Sequence, residues 1–170
     1  MKRIFILTVL SLGACSQGKI SDRDVKRQQQ QDQVNLKRQE LSTVAGAYNG
    51  ELRNPADGVN LSVLLNLEVK DIPESSGEGV DPVLVPKIVG NLRIYPGAAG
   101  GNEFWDAAIV ESEYKPSQNL ISLVVHQDQF GRMILQLDVK DDGKTLSGTW
   151  SANAGGKTGT VSVTKEGSTQ

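Results

Sequence analysis

The chain of 170 residues suits one domain of ordinary size with a single core. Its formal net charge of −2, from 18 Lys+Arg against 20 Asp+Glu, leaves no global basic field to recruit nucleic acid. One cysteine and one histidine exclude an internal disulfide and a zinc site of the usual Cys/His type. Eighteen glycines and six prolines point instead to strands and turns.

The N-terminal residues form a targeting segment. Lys2 and Arg3 make a basic head, and the apolar run Ile4-Phe5-Ile6-Leu7-Thr8-Val9-Leu10-Ser11-Leu12 is far shorter than the roughly 20 residues that span a bilayer. Leu12-Gly13-Ala14 then precedes the sole cysteine, Cys15. This stretch resembles the lipobox of bacterial lipoproteins. The resemblance implies cleavage before Cys15, with Leu12, Gly13 and Ala14 as the recognition residues, and acylation of Cys15 by a thioether-linked diacylglycerol and an amide-linked chain. Two or more acyl chains give durable anchoring without a transmembrane helix. The alternatives are an ordinary secretory signal cut near Ala14 and a cytosolic protein with an apolar N-terminus. Ser16 follows the cysteine where aspartate would favour inner-membrane retention in enteric bacteria, so the resemblance implies a bacterial cell envelope lipoprotein of the outer membrane. Residues 1–14 are thus the expected signal peptide and 15–45 the lipidated cysteine with its tether.

Residues 16–45 are polar and Gln-rich, with six basic and four acidic side chains. The apolar Val25, Val34, Leu36, Leu41 and Val44 make no continuous stripe, so a solvated spacer is expected, helical or not. Only Val34 and Leu41 keep heptad spacing, which is short of a coiled coil. From Gly46 onward ten basic residues face sixteen acidic ones.

Period-two alternation dominates residues 46–170. In Leu61-Ser62-Val63-Leu64-Leu65-Asn66-Leu67-Glu68-Val69 every odd position is aliphatic. That face is core, and Leu64 is the awkward apolar residue opposite. The pattern returns at Tyr48-Gly50-Leu52, Ile88-Gly90-Leu92-Ile94, Met133-Leu135-Leu137-Val139, Leu146-Gly148-Trp150 and Val161-Val163. Residues 104–114 and 120–127 are strand-like but mixed in phase, through double-sided burial or a bulge. Turn chemistry at residues 54–58, 96–101, 115–119, 128–131, 141–144 and 153–156 separates eight strands, and 71–87 reads as the one long loop.

Short reversals between successive strands predict an all-β, antiparallel up-and-down meander. Closure removes its two outer edges, which favours a small barrel over the alternative two-sheet sandwich. Gly46-Ala47-Tyr48-Asn49-Gly50, Leu146-Ser147-Gly148-Thr149-Trp150 and Gly159-Thr160-Val161 are similar to segments of the calycin group of lipocalins, fatty-acid-binding proteins and avidins. An early Gly-x-Trp, a terminal helix and a set of mouth tryptophans are not recognisable, so the resemblance implies architecture alone.

No catalytic constellation emerges, and neither a cofactor nor a metal is implied. His126 reads as a surface strand-end residue, and Glu111 with Glu113 as a solvated carboxylate pair. Asp141-Asp142-Gly143 is a hairpin turn with too few ligands for a calcium loop. Gly97 to Gly101 does not lead into a phosphate-binding helix. Trp105, Phe104, Tyr95, Tyr114 and Phe130 gather in the middle strands, but the aliphatic inward faces suffice to fill a narrow barrel. The expected function is non-enzymatic: an envelope lipoprotein whose barrel is a binding or assembly module for a protein, glycan or lipid partner. The alternative is a lipocalin-like carrier of a small hydrophobic ligand, its ligand-binding residues undefined.

Overall fold

A computed structural model describes residues 22–75, 82–96, 103–128 and 131–167. Helix α1 (Asp22–Val44) is followed by eight strands: β1 (Gly46–Asn54), β2 (Val59–Glu74), β3 (Val83–Tyr95), β4 (Trp105–Lys115), β5 (Leu120–Gln127), β6 (Gly131–Lys140), β7 (Thr145–Ala152) and β8 (Thr158–Lys165). Each strand pairs antiparallel with the next, and β1 pairs with β8 to close the barrel. The alternation sets which face is which. Tyr48, Leu52, Val63, Leu65, Leu67, Leu92, Leu135, Leu137, Leu146, Val161 and Val163 are buried in one core. The intervening side chains, such as Asn49, Glu51, Asn66, Gln136, Ser162 and Thr164, stand on the outer face. Apolar inside and polar outside is the reverse of the pattern of a barrel that faces lipid.

The mixed phase of 104–114 has a local cause. Ile109 pairs with Val125 and Glu111 with Val124, so Val110 is an extra residue and the strand bulges there. The inward set changes from Ala107 and Ile109 to Ser112 and Tyr114, and the Ser112 hydroxyl donates to the Ile88 carbonyl over 2.7 Å. In β5 the alternation is regular, with Ile121, Leu123 and Val125 inward. Its apparent irregularity arises because Val124, on the outer face, is also covered. Leu64 lies half-buried on the outer face between Asn49 and Arg93.

Two expectations are corrected. Residues 71–87 are not one long loop: β2 runs to Glu74 and β3 begins at Val83, paired from Lys70↔Lys87 to Glu74↔Val83. The β1 ladder ends at Gly46↔Leu67, so this part of the hairpin projects as a two-stranded arm. Val69, Ile72, Val83 and Val85 supply β propensity, and an arm that pairs with no third strand among the described residues tolerates Pro73 and Pro86, which lack the N–H a central strand would use.

The Gln-rich segment is likewise not solvated throughout. Helix formers fill it, Asp22 and Asp24 occupy its first turn where the helix dipole favours acids, and Gln28 bonds Asp32 at 2.9 Å one turn on. Most of the helix is exposed, but Leu41 and Val44 are 6% and 0% exposed and belong to the barrel core. They plug one end. The Tyr48 hydroxyl lies beneath them, 2.9 Å from the Val44 carbonyl and 2.7 Å from that of Gly143. Gly143, at φ +81°, allows the β6–β7 turn to approach the helix end, since a Cβ there would sit 2.1 Å from the Thr43 carbonyl oxygen. The Lys165 ammonium donates to that same oxygen, and Arg38 forks onto both carboxylate oxygens of Asp71 at 2.9 Å. The sequence pattern missed the plug because two apolar residues at the end of a helix can cap a barrel without forming a stripe along it.

Candidate functional site

Among the described residues, the opposite end of the barrel is left open. An up-and-down meander brings alternate reversals to the same end, so the β1–β2 and β7–β8 turns meet there with the end of β3 and the beginnings of β4 and β6. They surround a cavity of about 300 Å³ lined by Leu52, Asn54, Asp57, Val59, Leu61, Ile94, Pro96, Trp105, Met133, Trp150, Ala152 and Lys157. The walls are mainly apolar. A small concave site with a few fixed polar groups is the general form of a ligand pocket.

Both of the chain's tryptophans line this mouth, although Trp105 and Trp150 stand 45 positions apart in the sequence. Trp150 is held in place. Its indole N–H donates to the Arg53 carbonyl over 3.3 Å, and the ring crosses β8 at Gly159, where a Cβ would lie 2.6 Å from the indole nitrogen and 1.9 Å from the Arg53 oxygen. Only glycine lets the ring lie there. The two tryptophans, far apart in the sequence, thus share one end of the barrel.

The polar part of the rim is one network. Asn54, 8% exposed, accepts from the Ala56 N–H at 3.0 Å and donates to Asp57 Oδ2 at 2.8 Å. The Lys157 ammonium donates to the same Asp57 oxygen at 3.0 Å. The turn after β1 is thus tied to the turn before β8. Asn54 and Asp57 read in the sequence as turn formers and Trp150 as core. The topology itself was the signal that could have found them, because the meander assigns these reversals to one end.

The other candidates disperse. Glu111 pairs with Arg132 at 2.9 Å and Glu113 with Lys115 at 3.2 Å, both exposed. His126, also exposed, stands 4.0 Å from Asp128. Asp141 and Asp142 form a single 3-10 turn at positive φ, 52° and 53°. Tyr95 and Phe104 pair with ring centres 6.0 Å apart, and Arg93 lies 4.9 Å over the Phe104 ring. Tyr114 is at the plugged end, so the aromatic residues do not form one cluster. Among the described residues, no three His, Cys, Asp or Glu side chains gather as a metal-binding group, and no helix is long and apolar enough to cross a membrane. Leu12, Gly13, Ala14 and Cys15 lie outside the described residues, as do Gly97 to Gly101 and Phe130.

Burial pushes the Tyr48 hydroxyl up to about 12, with Tyr114 adding to the effect. It is a structural proton at the closed end, remote from the mouth. Comparison with protein-family models, curated proteins and solved structures finds no match.

Proposed function

We propose that this chain is a lipid-anchored lipoprotein of the bacterial cell envelope whose barrel is a non-enzymatic binding module, with the open mouth as its ligand-receiving surface. The observation that carries the reading is the asymmetry of the barrel ends. One is filled by Leu41 and Val44, and the other keeps a mainly apolar cavity beside two tryptophans. Burying apolar surface in such a recess is favourable by about 25 cal/mol per Å², and the rim network already satisfies its own polar atoms. The anchoring half of the proposal rests on Leu12-Gly13-Ala14-Cys15.

The mouth also favours the second reading, a carrier of a small hydrophobic ligand, over assembly through the outer face. Native mass spectrometry of gently purified protein separates the two. A stoichiometric small molecule identifies a carrier, whereas a protein or glycan recovered by crosslinking identifies an assembly module. The anchor is tested apart from both. Cys15→Ala is expected to abolish acylation and the lipoprotein cleavage, and a mutant that still partitions with membranes at the mature mass would overturn it.

A further inference from the structure

The mouth is shallow, and its depth limits what it can hold. Leu52, Ile94 and Met133 at its base are 3%, 2% and 4% exposed. Beneath them Leu65, Leu92, Leu123 and Leu135 have no exposed surface. These side chains occupy the barrel from wall to wall, so a ligand cannot run down the axis as it would in a hollow barrel. An apolar cavity of about 150 Å³ accommodates one benzene. The cavity of about 300 Å³ therefore has room for roughly ten to twelve carbon atoms on the same scale.

We infer that the mouth takes a small apolar body of about ten to twelve carbons, well short of a full-length membrane acyl chain. The inference rests on the mouth being the ligand-receiving surface. Up to that size each methylene leaves water for a protein wall and tightens binding about four-fold. Beyond it, further methylenes lie outside the cavity, over a rim that sets the joined polar groups of Asn54, Asp57 and Lys157 beside the 42% exposed Val59, and they gain less than those inside.

The test uses straight-chain alkyl carboxylates of six to sixteen carbons, each kept below its self-assembly concentration, with tryptophan emission as the readout. Both tryptophans line the cavity, so the signal comes from the mouth alone. Affinity is expected to rise about four-fold per methylene and to level off near ten to twelve carbons. Ala152→Leu, which places three carbons in the cavity wall, is expected to move that plateau down by about three carbons. A variant that merely loosens the fold would weaken every chain length alike. If affinity climbs steadily to sixteen carbons, the size limit is overturned while the mouth stands as a binding site. If no chain length changes the emission of the unaltered protein, the mouth reading and the size limit both fall.

Discussion

The plug at the closed end can be removed one layer at a time. Val44 is 0% and Leu41 6% exposed, and fully burying such a side chain contributes about 1.5–3 kcal/mol. A chain beginning at Gly46 loses both, together with the Val44 carbonyl that faces the Tyr48 hydroxyl. Gly143 still offers that hydroxyl an acceptor at 2.7 Å, so the polar loss is small beside the apolar one. The sum is about 3–6 kcal/mol, a large part of the 5–15 kcal/mol that holds an ordinary domain. At roughly 2–4 °C per kcal/mol for a domain of this size, melting followed by circular dichroism is expected to fall by about 6–24 °C. A chain beginning at Glu40, which keeps Leu41 and Val44 but discards most of the solvated helix, is expected to stay within a few degrees of the full protein. Val44→Ala in the full chain is expected to reproduce part of the loss. If the chains beginning at Gly46 and Glu40 melt together, the helix end contributes nothing to the core and the reasoning is refuted.

Leu65→Ala is expected to cost roughly 2–5 kcal/mol and Asn66→Ala less than about 0.5 kcal/mol, measured by urea denaturation; the reverse order would mean that β2 presents its other face to the core. Gly159→Ala is expected to displace the Trp150 ring, seen as a shift of tryptophan emission together with a lower melting temperature, and unchanged emission would show that the ring does not depend on that glycine. Tyr48 makes stability fall in alkali. Its hydroxyl titrates near 12 when folded, against an ordinary value of 10.0, so the unfolded chain releases the proton first. The contribution is intact below pH 10 and lost between about 10 and 12, at roughly 1.4 kcal/mol per pH unit. Unfolding titrations at pH 9 and 11 are expected to show a smaller drop in Tyr48→Phe than in the unaltered protein, and equal drops would mean that Tyr48 is not responsible.

The eight strands were legible because each carries its own period-two pattern between reversals rich in Gly, Pro, Asn or Asp, and because a meander of that length must dispose of two edges. The β2–β3 arm was not legible, since Pro73 and Pro86 signal a loop wherever a strand is assumed to have two neighbours, and only the assembled barrel shows that the arm lacks them. Val110 was visible as a disturbance of phase, but the residue at which the register slips depends on the β5 partner. The mouth was hidden for a different reason. Trp105, Trp150, Asp57 and Lys157 have ordinary local explanations as core or turn residues, and they become neighbours only when alternate reversals are brought to one end. No local pattern distinguishes a recess from a filled interior, because that depends on the sum of side-chain volumes around the ring.

The seam between β1 and β8 has a consequence for how the chain reaches this structure. It joins the two ends of the meander, and the Asn49 amide bonds Glu166 across 117 positions of sequence. Seven hairpin contacts can form locally, each between neighbours along the chain, but the eighth requires the whole domain to come round on itself. Bringing ends so distant together costs about 4 kcal/mol of chain entropy, recovered only as the seam ladder from Tyr48↔Lys165 to Arg53↔Thr160 forms. Proteins dominated by such distant pairings fold on the millisecond-to-second scale. Until Thr158–Lys165 is in place, β1 and β7 each present an open edge able to recruit another copy's strand. A chain cut before β8 would be caught at that stage, and its failure would take the form of aggregation instead of a smaller stable sheet.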